Sequence, residues 1–178
     1  MKNIDLMLGV FLLLFLSSCS DQLRVKSDYD REVDFSHYKT YGWLSAKDIE
    51  QKNNPLIYNE LADKRIKKAI DGQFQIKQIG WVADNPDLLV HYHIIIDNKS
   101  ALWPDPYGYY SPYWIRSRMD VYQYREGTLI IDLMDSKNNL VWRGWAVSVL
   151  DINEIDLSEE KIHRAVNQIL SEYPPVKK

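Results

Sequence analysis

The stretch from Asp156 to Tyr173 constrains the fold most. Ile162, Ala165, Val166, Ile169, Leu170 and Tyr173 recur at the three- and four-residue spacing of a helix. At 3.6 residues per turn, all of them share one stripe. Asp156 with Glu159 offers a capping box, Ser158 offers a cap by itself, and Pro174-Pro175 ends the element. An apolar stripe of this kind must be buried against another element. A second helix is expected from Asn54 as N-cap and Pro55 at the first helical position. Its stripe is Leu61, Ala62, Ile66, Ala69, Ile70 and Phe74. Lys64, Arg65, Lys67 and Lys68 fall mostly on the other side and read as a solvated face.

The remaining sequence reads as strands. Arg24 to Tyr29 and Tyr38 to Leu44 alternate, with a turn-prone stretch, Asp30 to Ser36, between them. Leu88 to Ile96 is rich in β-branched residues. Val121 to Tyr124 and Thr128 to Met134 read as one strand with a bulge at Gly127. The turn Asp135 to Asn139 joins it to a strand from Leu140 to Leu150, making a hairpin. No helix or strand is evident from Asp97 to Asp120. The pattern predicts an α+β fold: a two-layer sandwich of a mainly antiparallel sheet, with two amphipathic helices packed on one face.

The N-terminus makes a separate statement. Leu6 to Leu16 is an apolar run that fits a signal-peptide core and is short for a membrane span. It ends in Leu16-Ser17-Ser18-Cys19, which resembles the lipobox of bacterial lipoproteins. The resemblance implies a signal peptide over residues 1–18 and lipid on Cys19, the single cysteine of the chain. Residues 19–24 then form a tether reaching at most about 20 Å, and residues 25–178 form one domain. Ser20 directly after the cysteine fits sorting to the outer membrane, with the domain facing the periplasm.

Further motifs run the length of the mature chain. Val25-Lys26-Ser27-Asp28-Tyr29-Asp30 is followed by Asp34-Phe35-Ser36-His37-Tyr38-Lys39-Thr40-Tyr41-Gly42-Trp43. Later come Pro86-Asp87-Leu88-Leu89-Val90, Glu126-Gly127-Thr128-Leu129-Ile130-Ile131-Asp132-Leu133 and Leu140-Val141-Trp142-Arg143-Gly144-Trp145-Ala146. In this order they resemble the bacterial lipoprotein domain known as domain of unknown function 4136. The resemblance implies an envelope lipoprotein of Gram-negative bacteria. It carries over no catalytic residue, because no activity is established for the domain.

Candidate chemistry is sparse. A net charge of −3 gives no basic nucleic-acid surface, so no nucleic-acid partner is expected. No Gly-x-Ser-x-Gly elbow or phosphate-binding glycine loop is present. Asp132 and Asp135 near the hairpin turn read as turn chemistry. His91 and His93 face one way on a strand, but a metal site would need a third ligand, such as His37, His163 or Asp97. The expectation is therefore no metal and no cofactor. Arg143, between Trp142 and Trp145, suggests a structural cation–π contact.

The chain holds 12 Tyr and 6 Trp, and several gather in one stretch. Trp103, Tyr107, Tyr109, Tyr110, Tyr113 and Trp114, interleaved with Pro104, Pro106 and Pro112, form the candidate binding surface. Tyr and Trp offer wide, rigid contact area with polar tips, and proline limits loop entropy. The expected function is a non-enzymatic binding or assembly module, held on the membrane by lipid and engaging an envelope protein or glycan. The alternative is an envelope hydrolase acting on cell-wall or glycan material.

Overall fold

A computed structural model of the chain describes residues 23–44, 59–104, 119–150 and 156–175. The expected signal peptide, Cys19, Asn54 and Pro55 lie outside them. Six strands form one mixed sheet: β1 Arg24–Tyr29, β2 Thr40–Trp43, β3 Gly80–Trp81, β4 Leu88–Pro104, β5 Met119–Asp135 and β6 Leu140–Leu150. Two helices accompany it, α1 Glu60–Ile76 and α2 Glu159–Ser171, with a short 3-10 turn at Phe35–His37.

The spatial strand order is β1-β6-β5-β4-β2-β3. The pairs β1–β6, β6–β5 and β5–β4 are antiparallel, whereas β2 runs parallel to both β4 and β3. The fold is therefore α+β with a mixed sheet. The parallel pairings come from α1, which carries the chain from the end of β2 back to its start, as a crossover helix must.

Helix α1 begins where Asn59 accepts a hydrogen bond from the Ala62 N–H at 2.8 Å. It buries Ala62, Ile66, Ala69, Ile70 and Phe74, but Leu61 is 63% exposed, because it lies beyond the edge of the stripe. Gln78 adopts a left-handed φ of 61°, which lets the Ile79 N–H donate to the Phe74 carbonyl at 2.9 Å and closes the helix. The basic face is paired. Lys64 meets Glu60, Lys67 meets Asp63, and Lys68 reaches Glu159 on α2. That last contact takes the Glu159 side chain away from the expected capping box, and Asp156 instead accepts from the Ser158 N–H at 2.8 Å.

One core joins the buried stripes of both helices to alternate residues of the strands: Leu88 and Val90 of β4, Ile131 and Leu133 of β5, Trp142 and Ala146 of β6. Phe35, Phe74 and Trp142 all meet the Tyr173 ring edge-on at centroid distances of 5.4–6.3 Å. The turn after β5 is built as its sequence suggests. Asp135 accepts from the N–H groups of Lys137 and Asn139 at 2.8 Å, and Asn138 takes a φ of 66°.

Two strand boundaries differ from expectation. β4 runs on to Pro104 and β5 starts at Met119, so part of Asp97 to Asp120 is strand. From Asp97 to Ser100 this extension is polar and exposed, so it lacks the apolar alternation that marks a half-buried strand. Gly127 sits in regular register opposite Ile96. The irregularity falls at Leu133/Met134, beside the β5–β6 turn.

Candidate functional site

The sheet face opposite the buried stripes carries the side chains that alternate outward. Register brings His91 of β4, Asp132 of β5 and Arg143 of β6 into one row across three strands. His93 lies two residues from His91 on that face.

Asp132 is only 4% exposed, although it lies outside the main core. Arg143 donates to it through Nε at 2.6 Å and Nη2 at 2.7 Å, a bidentate clamp. His93 Nε2 lies 3.4 Å from Oδ2, the oxygen that also accepts from Arg143 Nη2. Burial works to raise the Asp132 pKa, but the hydrogen bonds and charges of Arg143 and His93 outweigh it and hold the carboxyl below its ordinary range. The His91 and His93 rings meet edge-on at 4.0 Å. Burial, then the neighbouring His93, lowers the His91 pKa, so its imidazole is neutral near pH 7. His91 Nε2 is buried and makes no hydrogen bond among the described residues.

This arrangement corrects two sequence expectations. Asp132 is no turn residue; only Asp135 has that role. Arg143 spends its guanidinium on Asp132, and the cation–π contact among the described residues is Lys67 over Trp43 at 5.5 Å. Of the third ligands considered for the histidine pair, none is close. His37 pairs with Asp34, Asp97 pairs with Lys99, and His163 belongs to α2. Asp132 takes their place. Strand register supplied it, and register between β4 and β5 is not written in either strand alone.

A cavity of about 580 Å³ lies on the helix side, lined in part by Ile66, Ile94, Ile96, Leu129, Leu157 and Ile162. The one carboxyl in its described lining, Asp156, is paired with Lys161 at 3.1 Å.

The aromatic candidates divide at the strand ends. Trp103 lies in the last turn of pairing between β4 and β5, opposite Asp120. Tyr107, Tyr109, Tyr110, Tyr113 and Trp114 lie outside the described residues. β6 ends at Leu150, opposite Arg125. From Lys99↔Tyr124 to Pro104↔Met119, β4 and β5 pair only with each other among the described residues. Six such pairs span about 20 Å. No described helix is long and apolar enough to cross a membrane.

Comparison with known proteins gives a fold and a family. No curated protein matches the chain. A PDZ domain protein from Parabacteroides distasonis superposes with a TM-score of 0.58 at 17% identity, covering 98% of this chain and 41% of that one. The chain thus spans under half the length of that protein, and the likeness is one of fold. A PelC dodecamer subunit from Paraburkholderia phytofirmans gives a TM-score of 0.46 at 9% identity, over 84% of this chain and 95% of that one. A minor lipoprotein from Acinetobacter baumannii gives 0.41 at 12% identity, over 76% and 91%. The model of one family, described as domain of unknown function (DUF4136), matches residues 25–175 of the 178, and the chain belongs to that family.

Proposed function

We propose that this chain is a non-enzymatic binding or assembly module of the bacterial envelope. It is acylated on Cys19, held on the outer membrane facing the periplasm, and presents its aromatic segment to an envelope protein or glycan. Both helices bury their apolar stripes in the core that they share with the sheet.

One observation carries this reading. Beyond the end of β6, β4 and β5 continue as a two-stranded ribbon, and residues 105–118 join its two ends. An isolated two-stranded ribbon is marginal in water. Extending the strands by six pairs past the third strand, with aromatic residues at the far end, suits a contact arm better than a core element. Two features argue against hydrolysis. Asp132 is clamped in its charged form by Arg143, which makes it a poor proton donor. The cavity on the helix side brings no second carboxyl beside Asp156 among its described lining.

The test uses the full-length chain in its own membranes. Radiolabelled fatty acid should mark the wild type and not Cys19→Ser. Chemical crosslinking of the Trp103→Ala/Trp114→Ala variant should lose envelope partners, or binding to sacculi, that the wild type retains. Normal labelling of Cys19→Ser would sink the anchor, and an unchanged partner set would sink the aromatic arm.

A further inference from the structure

We propose that His91, His93 and Asp132 bind one divalent transition-metal ion of the zinc class on the outward face of the sheet. One ligand atom from each of the three lies within 4.8 Å of the others. Zinc bonds of about 2.0–2.2 Å in tetrahedral geometry hold ligand atoms about 3.3 Å apart. The edge between His93 Nε2 and Asp132 Oδ2 is already 3.4 Å. The two edges to His91 are each within 4.8 Å and would shorten as the ion is bound.

The chemistry of the three groups selects the ion. Two imidazoles and one carboxylate suit zinc and its neighbours, whereas calcium and magnesium require mainly oxygen ligands. His91 Nε2 is a buried nitrogen without a hydrogen bond among the described residues, and coordination would occupy it. Arg143 does not block the site. Each carboxylate oxygen has two acceptor positions, and the guanidinium takes one on each. It then acts as the outer partner that fixes a ligating carboxylate. Its charge weakens the ion's hold, and the 38% exposure of the His93 side chain lets solvent offset part of that cost. Ligands from adjacent strands on an open face leave the fourth position to water or to a donor from a partner.

The experiment uses the full-length chain in detergent, without a polyhistidine tag and stripped with a chelator. Zinc is titrated by calorimetry, and cobalt by visible absorption. One ion per chain and a tetrahedral cobalt band are expected. His91→Gln and His93→Gln should each weaken binding by at least about tenfold, with circular dichroism of the metal-free forms unchanged. His37→Gln and His163→Gln should bind as the wild type does. Should His91→Gln fail to fold, the more exposed His93→Gln decides. Absence of saturable binding, wild-type affinity in His93→Gln, or an equal loss in His37→Gln would overturn the proposal.

Discussion

Arg143 and Asp132 stand opposite each other on neighbouring strands and share two hydrogen bonds, at 2.6 and 2.7 Å. The carboxylate is buried, while the guanidinium side chain is 43% exposed. The two partners therefore have unequal needs: Asp132 depends on Arg143 for its charge, and Arg143 has water to fall back on. Arg143→Leu should destabilise the fold by about 3 kcal/mol, the low end for a broken buried pair. Arg143→Lys should recover only part, because an ammonium cannot reproduce the bidentate fork. The double variant Asp132→Leu/Arg143→Leu should be more stable than Arg143→Leu. Urea unfolding of the set checks all three; a double variant less stable than Arg143→Leu would contradict the account.

Asp87 makes a second carboxylate contact, at the start of β2. It accepts from the N–H groups of Lys39 and Thr40 at 2.9 Å and from the Thr40 hydroxyl at 2.8 Å, while its own N–H donates to that hydroxyl at 3.0 Å. The Lys39 N–H, then Thr40, holds its pKa below the ordinary 3.8. Such a group binds fewer protons folded than unfolded. Its stabilisation is complete above 3.8 and is lost as pH falls through the lower folded value. Asp87→Asn should cost about 1 kcal/mol at neutral pH, and the gap to wild type should shrink below pH 4. Denaturant melts across that range measure it; a gap that widens in acid would be the wrong sign.

Tyr173 packs against Phe35, Phe74 and Trp142, yet its buried hydroxyl finds no partner among the described residues. Burial also drives its pKa well upward. Removing an unsatisfied hydroxyl without changing ring shape recovers its desolvation cost. Tyr173→Phe should raise stability by about 1 kcal/mol, read as an upward shift in Tm. A clear loss would reveal a bond to that hydroxyl.

Gly144 lies on the buried side of β6. A Cβ there would stand 2.7 Å from Ile169 Cγ2 of α2 and closer still to the Trp142 indole. Neither neighbour has room to yield in a packed core. Gly144→Ala should therefore cost about 1–3 kcal/mol by overpacking. Equilibrium unfolding tests this, and a neutral result would mean that α2 can lift from the sheet.

The ribbon beyond β6 should open before the sheet does. Its amides, from Lys99 to Trp103 and from Met119 to Tyr124, lack a third strand among the described residues. Hydrogen exchange should be fastest there and slowest around Val90, Ile131 and Trp142, which lie at the centre of the core. Equal protection along β4 would show that another element covers the ribbon.

These features differ in how far the chain sequence reveals them. The stripe of α2 is legible because each of its residues answers to one local period and one neighbouring layer. The Asp135 turn is legible because its chemistry closes within five residues. The Asp97 to Ser100 part of β4 is not, since its pairing uses backbone groups that every residue owns. β3 has two residues and carries no period at all. The site failed for a related reason. The His91 and His93 spacing was plain, but their carboxylate partner depends on register with β5, and proximity to a turn disguised Asp132. The parallel run of β2 beside β4 is likewise a product of the crossover through α1 and leaves no mark in either strand.

The outermost strand β1 also has a consequence in time. It is the first of the described strands to leave the ribosome, and its neighbour β6 is the last of them; the Arg24 side chain also reaches Glu126 of β5, 102 residues later. Until that late segment exists, β1 lacks the neighbour it pairs with and cannot take its place in the sheet. Such a nascent chain is easily threaded through a narrow passage and snaps shut only when its tail arrives.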